Sequence, residues 1–264
     1  MNIKQLLAPV AALIAGVVLP SCGVGIPMEY NVPGKISLKK GSKIGFHRVS
    51  GQNMATREIT WALSDTMGRD GYYKPASVHD GGCSADMWVR ATETEKYYQG
   101  QLSYVQVNAD VVVDNGNRRV YSRSFSRSAY PSDASSSPIN YESPAYSIAR
   151  TVIRDLRPHS VSYTERVRGN DENPYIEKGA RECAAGNWST GRAYALKAIE
   201  TNPADAEAYF LMGLIERNAH NFKKSSEYFS KANAIKPSGK YTAAIKKNNS
   251  ISTNEARARK QLRG

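Results

Sequence analysis

Residues 102–128, LSYVQVNADVVVDNGNRRVYSRSFSRS, predict two antiparallel β-strands joined by a tight turn. In residues 102–114 apolar side chains occupy alternate positions, which places them on one face of a strand. These positions are Val105, Val107, Ala109, Val111 and Val113. Asn115-Gly116 follows directly, and this dipeptide between two alternating segments is the strongest short-range signal for a hairpin. We therefore expect a half-buried hairpin whose second strand covers residues 118–128.

Shorter strands and two helices surround this hairpin in residues 41–165, which we predict to be one α/β domain. The predicted elements are strands over 41–49, 72–78 and 85–93, and helices over 53–69 and from Ser143-Pro144 to Pro158. Serine is a favoured N-cap and proline a favoured first helical residue, so the second helix has a well-marked start. The order of these elements predicts a mixed sheet covered by one layer of helices. That order is strand, helix, two strands, hairpin and helix.

The order of these elements resembles the small α/β domains of envelope lipoproteins of the LpoB, TolB and CsgG type. The resemblance rests on that order and on the progression from ADMWVRATETEKYY, residues 85–98, into the hairpin. It covers residues 41–165 and includes no diagnostic motif. It implies a protein-interaction role in the cell envelope rather than catalysis.

The C-terminal third contains an internal repeat of 34 residues. Tyr175, Gly179, Gly186, Trp188, Ala198 and Pro203 recur as Tyr209, Gly213, His220, Phe222, Ala232 and Pro237. This pattern resembles the tetratricopeptide repeat, in which two antiparallel helices form each unit. We predict two such repeats over 172–238, with helices near 173–185, 189–201, 206–219 and 222–235. The fold class is therefore α+β, a mixed-sheet domain followed by a helix-turn-helix array.

The tetratricopeptide resemblance implies a peptide-binding concave face lined by the first helix of each pair. The residues at the matching positions are Ile176, Ala180, Cys183, Phe210, Leu214 and Arg217, flanked by Asn173 and Glu207. The alternative is that this face packs against the N-terminal domain or the capping helices. Two repeats leave an apolar end that needs a cap, for which we predict helices over 241–247 and 255–262, joined by polar residues 248–253.

Residues 1–22, MNIKQLLAPVAALIAGVVLPSC, combine Lys4 with a short apolar run, as secretory signals do. Leu19-Pro20-Ser21-Cys22 resembles the lipobox of bacterial lipoproteins, which implies a signal peptide over 1–21 and acyl chains on Cys22. A plain signal peptide and a buried N-terminal helix are the alternatives. Residues 22–40 are rich in glycine and proline and predict a tether. The residue after the cysteine is Gly23 rather than aspartate, which favours the periplasmic side of the outer membrane.

Positive charge is concentrated at the C-terminus, in a basic segment over 239–264. From Lys236 onward eight basic residues face the single acid Glu255, within a formal net charge of +12. Such a segment on a tethered protein predicts contact with anionic lipid or an acidic cell-wall polymer. Export argues against nucleic acid as the partner, and a solvated helix cap with no partner is the alternative.

The sequence predicts no catalytic residue, metal site or cofactor. His47, His79, His159 and His220 are scattered, and no pair has the spacing of metal ligands. A crowded loop holds His79, Asp80, Cys83 and Asp86 and is predicted to be a solvated turn, although a thiol or metal site is the alternative. Cys83 and Cys183 could form a disulfide in an exported protein or remain two thiols.

These features predict a non-enzymatic, lipid-anchored envelope protein that acts as a scaffold or adaptor through its two domains. Two alternatives stay open. One is an envelope hydrolase or thiol enzyme that uses Cys83, and the other is a structural linker that joins membrane to cell wall through the basic tail.

Overall fold

The structure is a computed structural model that describes residues 23–47, 52–129 and 143–263. It has the predicted α+β fold and divides into two compact units. The helical unit comprises residues 164–245 with the described residues up to Met28. The sheet unit comprises residues 29–163 and 246–264. No helix in the described part of the chain is both long and apolar enough to cross a membrane.

Seven strands and seven α-helices follow one another in the described residues. The strands are β1 Val24–Val32, β2 Lys43–Phe46, β3 Lys74–Ser77, β4 Ala85–Tyr98, β5 Gln101–Asn115, β6 Arg118–Ala129 and β7 His159–Val167. The helices are α1 Met54–Asp70, α2 Pro144–Leu156, α3 Pro174–Ala184, α4 Trp188–Thr201, α5 Ala206–Asn218, α6 Phe222–Ile235 and α7 Gly239–Arg263. A single 3-10 turn, Val78–Asp80, follows β3.

The sheet unit contains a five-stranded sheet in the order β3-β2-β4-β5-β6. Strand β2 is parallel to both β3 and β4, whereas β4, β5 and β6 form an antiparallel meander. The predicted hairpin is confirmed, since Asn115 pairs with Arg118 across the turn and Val111 pairs with Arg123. Strands β1 and β7 form a separate two-stranded sheet.

One face of the five-stranded sheet is buried beneath α1 and α2. The inward side chains of β5 are those of the predicted apolar alternation, and Val107, Ala109, Val111 and Val113 are all buried. Ile59 and Leu63 of α1 and Ile148 of α2 belong to the same core. The opposite face carries the remaining alternate side chains, and no helix of the described residues belongs to its packing core, so we call it the open face.

The start of α1 is fixed by side chains that also reach β4. Asn53 is the N-cap and accepts a hydrogen bond from the backbone N–H of Thr56 at 2.9 Å. The Asn53 amide also donates to the carbonyl of Ala91 at 2.8 Å, and the Ala91 N–H donates to Thr56 Oγ1 at 3.0 Å. The N-cap therefore joins the helix to β4 beyond the point where β2 ends.

The helical unit contains the two predicted helix pairs, α3 with α4 and α5 with α6. Gly213 lies where α5 crosses α6, and a Cβ added there would be 2.4 Å from Cε1 of Phe229. The corresponding Gly179 would place a Cβ 2.9 Å from Leu211 Cδ2. Both glycines therefore permit the close helix crossings that the repeat pattern predicts.

Gly213→Ala is expected to lower the free energy of unfolding by about 1–3 kcal/mol, because the added methyl overlaps the buried ring of Phe229. Gly68→Ala is the matched control within a helix, since its Cβ would meet only Pro75 Cγ at 3.8 Å. Alanine is a better helix former than glycine, so Gly68→Ala should raise the free energy of unfolding by about 0.5–1 kcal/mol. Urea denaturation followed by circular dichroism measures both, and equal effects of the two substitutions would contradict this packing.

Two predicted segments differ from the structure. Residues 24–32 form β1 rather than a tether, because Ile26 and Met28 are buried and alternate with exposed neighbours. The two predicted capping helices are one continuous helix, α7. The buried residues of α7 recur at helical spacing, but two of them, Asn248 and Glu255, are polar. The apolar pattern in the sequence is therefore interrupted and does not reveal one continuous helix.

Candidate interaction surface on the open sheet face

The open face is a polar surface that carries the large aromatic ring of Trp88, with Tyr104 farther along β5 on the same side. Residues paired across antiparallel strands share a face, so Trp88, Val112 and Ser122 form one row across β4, β5 and β6. The adjacent row contains Arg90, Asp110 and Ser124. Trp88 is 42% exposed, which is unusual for tryptophan because its large apolar ring is normally covered.

Short polar contacts order the surface around this tryptophan. Ser124 Oγ donates to Asp110 Oδ1 at 2.6 Å, and Arg119 Nε lies 3.5 Å from Asp114 Oδ1. Arg90 extends from the row beside Trp88 and is exposed. Both signs of charge therefore flank an exposed apolar ring, which is a composition suited to a protein partner.

A cleft of about 740 Å³ opens beside this surface, where β2 ends and β4 continues. Within the described residues, the pairing of β4 with β2 ends at Met87, whose carbonyl accepts a backbone hydrogen bond from His47 N–H at 3.0 Å. The lining of the cleft joins the open face to the start of α1. The lining residues are Gln52, Asn53, Thr56, Trp88, Val89, Arg90, Ala91, Asp110, Val112, Asp114, Arg119 and Ser122.

His47 holds the ring of Trp88 in place. The two rings are stacked with their centroids 3.4 Å apart and an interplanar angle of 10°. His47 Nε2 lies 3.7 Å from Asp86 Oδ2, which is too long for a hydrogen bond. The stack fixes the indole before any partner arrives, so binding costs less side-chain entropy.

The crowded loop of Cys83 forms two separate groups. Asp80 accepts from the backbone N–H of Ser77 at 2.9 Å and stabilises the 3-10 turn, and His79 is exposed. Cys83 and Asp86 lie over the backbone of Gly45, where an added Cβ would be 2.8 Å from the sulfur and 3.1 Å from Oδ1 of the carboxylate. Within the described residues, no group of three or more His, Cys, Asp or Glu side chains could hold a metal ion.

The six residues predicted to line a peptide-binding face are buried, so peptide binding there stays a prediction that the structure does not favour. Ile176, Ala180, Cys183, Phe210, Leu214 and Arg217 are between 0% and 3% exposed. The first turns of α7 cover the second repeat, with Lys240 Nζ 4.0 Å from the ring centroid of Phe210. Tyr241 OH also donates to Glu207 at 2.8 Å. For the second repeat, these contacts agree with the alternative in which the capping segment covers the face.

Residues 239–263 of the basic segment form the folded helix α7. Lys240 Nζ lies 2.7 Å from Glu207 Oε1. Burial lowers the pKa of Lys240 below its ordinary value, although the carboxylate of Glu207 acts in the opposite direction. Near the end of α7, the Gln261 side chain accepts from Gly34 N–H at 2.8 Å and donates to Ile36 O at 3.1 Å. Contact between this segment and anionic lipid or wall polymer stays a prediction for its exposed cations Lys246, Arg257, Lys260 and Arg263.

The three cysteines differ in location and in chemical state. Cys22, the predicted lipidation site, lies outside the described residues. Cys83 and Cys183 are both free thiols, which is the second of the two predicted alternatives. Burial, with a smaller effect of Glu182, raises the pKa of Cys183 to about 12, so this thiol stays protonated at neutral pH.

Comparison with known proteins gives no family. No family model matches the chain, and no curated protein matches it. Two solved structures of the PelC dodecamer from Paraburkholderia phytofirmans, one of them a point variant, align over 50% of this chain and 98% of theirs. Their identity is 15% and their TM-scores are 0.33 for the variant and 0.31 for the other structure, values that bear on neither the fold nor the function of this chain.

The open face could have been found from the sequence. The residues between the apolar positions of the hairpin, such as Asp110 and Ser122, are polar throughout most of both strands. Trp88 occupies one of the alternate, mostly polar positions of its strand. This indicates an interaction surface, because an aromatic residue on a solvated face is uncommon. The stack with His47 depends on β2 lying beside β4 and had no local signal.

Proposed function

We propose that this chain is a non-enzymatic, lipid-anchored protein of the bacterial cell envelope that recognises a protein partner through its open sheet face. The anchor is Cys22 in its lipobox-like sequence, with the outer membrane as the expected location. Two or three acyl chains would hold the protein at the membrane effectively permanently, because each buried methylene contributes about 0.8 kcal/mol. The anchor restricts where recognition takes place.

The exposed, stacked Trp88 is the observation that carries the proposal. Tryptophan is enriched among the few residues that supply most of the binding energy at protein interfaces. The ring is 42% exposed and already oriented by His47, and Arg90 and Asp110 in the next row supply polar contacts around it. A solvated antiparallel face without a partner is usually polar throughout, so this ring is the feature that a partner explains.

The helical repeats support the proposal in a different role. The predicted lining residues of their first helices are buried, and α7 packs on those of the second repeat, so we do not assign this face to a partner. We assign the repeats and their cap to stability of the chain and the open face to recognition. This assignment changes the location of the predicted adaptor surface and keeps its non-enzymatic character.

In-cell photocrosslinking tests the proposal. A photoreactive amino acid replaces Val112, which lies beside Trp88 on the open face, and the matched position is Leu196, an exposed residue of α4. We expect a discrete crosslinked band from position 112 and none from position 196, with the partner identified by mass spectrometry. A band from position 196 alone, or from neither position, would refute recognition by the open face.

A further inference from the structure

A second cavity lies in the sheet unit, in the groove between α1 and α2, and its lining is rich in arginine. Its volume is about 580 Å³. We call it the arginine groove, and its lining residues are Thr66, Arg69, Asp70, Ser147, Arg150, Thr151, Ile153, Arg154 and Arg157. Four of the nine are arginines, against one carboxylate, so the groove has an excess of positive charge.

Carboxylates beside the groove hold two of the arginines in position. Arg157 Nε lies 2.8 Å from Asp70 Oδ1, and Arg69 Nη2 lies 3.0 Å from Asp65 Oδ2. A guanidinium has five N–H donors, so one carboxylate leaves donors available to a ligand. These pairs therefore orient the guanidinium groups of Arg69 and Arg157 beside the groove.

Arg150 and Arg154 lie four residues apart on one side of α2, and Arg157 is the C-cap residue that follows the helix. Arg150 and Arg154 are exposed, and Arg154 has no ion pair with any residue that the structure describes.

We propose that the arginine groove binds a phosphate group. Guanidinium forks match phosphate oxygens in paired hydrogen bonds, and groups that approach from two helices can contact several oxygens of a tetrahedral phosphate, monoester or diester, at once. A carboxylate offers only two oxygens and would use fewer of these donors. The hydroxyls of Thr66 and Ser147 add smaller donors to the same lining.

The groove is larger than inorganic phosphate, so it has room for a ligand in which the phosphate carries further atoms. The same chemistry is offered by a phospholipid headgroup and by a soluble phosphorylated molecule. An anchored chain meets both, because its membrane supplies headgroups and its compartment supplies solutes. The proposal is independent of the open face, which belongs to the other side of the five-stranded sheet.

The test uses the full chain with Cys22→Ala, which removes the acylated thiol and prevents anchoring from mimicking binding. Calorimetric titration with pyrophosphate, and co-sedimentation with phosphatidylglycerol vesicles against phosphatidylcholine vesicles, report the two sources. We expect Arg150→Ala/Arg154→Ala to weaken whichever interaction is present by at least tenfold. The matched control, Arg118→Ala/Arg127→Ala, removes the same charge from β6 and should change it by less than twofold.

Binding of either probe alone supports the proposal and identifies the source of the phosphate group, provided that the α2 double variant weakens this binding more than the β6 double variant does. Two outcomes overturn it. One is that the unsubstituted chain binds neither pyrophosphate nor phosphatidylglycerol vesicles. The other is that the α2 and β6 double variants weaken binding equally, since attraction would then follow net charge rather than the groove. Circular dichroism of both variants checks that each retains its fold.

Discussion

Arg217→Ala is expected to lower the free energy of unfolding of the helical unit by about 3–5 kcal/mol. The Arg217 side chain is only 2% exposed, and its Nη2 donates to the carbonyl of Ala244 at 2.7 Å. Its Nη1 donates to Glu165 at 3.3 Å, and the guanidinium lies 4.6 Å from the ring centroid of Phe229. Alanine would remove the charge that compensates Glu165 and leave a cavity against the ring.

Arg181→Ala is the matched control for Arg217. Arg181 is 71% exposed and pairs with Glu177 one turn away on α3. Exposed helical pairs of this kind contribute about 0.3–0.5 kcal/mol, so the control should have a near-normal midpoint in urea. A loss below about 1 kcal/mol for Arg217→Ala would show that the predicted concave face is not held closed by this contact.

Asp155→Asn is expected to lower the free energy of unfolding of the sheet unit by about 1.5–3 kcal/mol. The carboxylate of this α2 residue is largely buried and binds Lys35 at 2.9 Å and Arg123 at 2.5 Å. Tyr121 OH donates to the same oxygen at 3.2 Å. Asparagine keeps the shape but removes the charge that compensates both cations.

The same substitution should flatten the dependence of stability on pH. Burial alone would raise the pKa of Asp155, but the hydrogen bonds from Lys35 and Arg123 outweigh burial and hold it below its ordinary value. A carboxyl with a lower pKa in the folded state contributes stability above its unfolded pKa, which is about 4, and loses it as pH falls through the folded pKa. The parent should therefore lose stability below about pH 4 more steeply than Asp155→Asn.

Urea midpoints measured at intervals from pH 6 to pH 3 test this expectation. Asp171→Asn is the control, because Asp171 is exposed and should leave the profile unchanged. Profiles of the parent and of Asp155→Asn that run parallel over this range would contradict the role of the carboxylate.

Local patterns predicted much of this fold because their physics is local. Alternation and Asn115-Gly116 predicted the hairpin, and the 34-residue repeat predicted four helices close to their observed bounds. Segments whose partners are distant in sequence were harder to predict. Strand β1 forms because β7, more than a hundred residues later, pairs with it. The continuity of α7 was missed because Asn248 and Glu255 are buried within its stripe.

The candidate site shows the same limit. The resemblance to tetratricopeptide repeats placed Phe210 and Arg217 correctly on one helix face, but only tertiary structure shows that α7 covers that face. Trp88 is a single residue whose importance depends on two strands lying side by side and on His47 at the end of one of them. Packing, rather than composition, therefore separates the covered surface from the available one.

Recognition through Trp88 is the central claim, and crosslinking from position 112 in Trp88→Ala and Trp61→Ala backgrounds tests it most directly. Trp61 is the matched control, since it is 61% exposed on α1 and lies outside the open face. We predict that Trp88→Ala lowers the yield of the crosslinked partner at least tenfold, while Trp61→Ala changes it less than twofold. An unchanged yield in Trp88→Ala, with the partner still captured at position 112, would contradict the account.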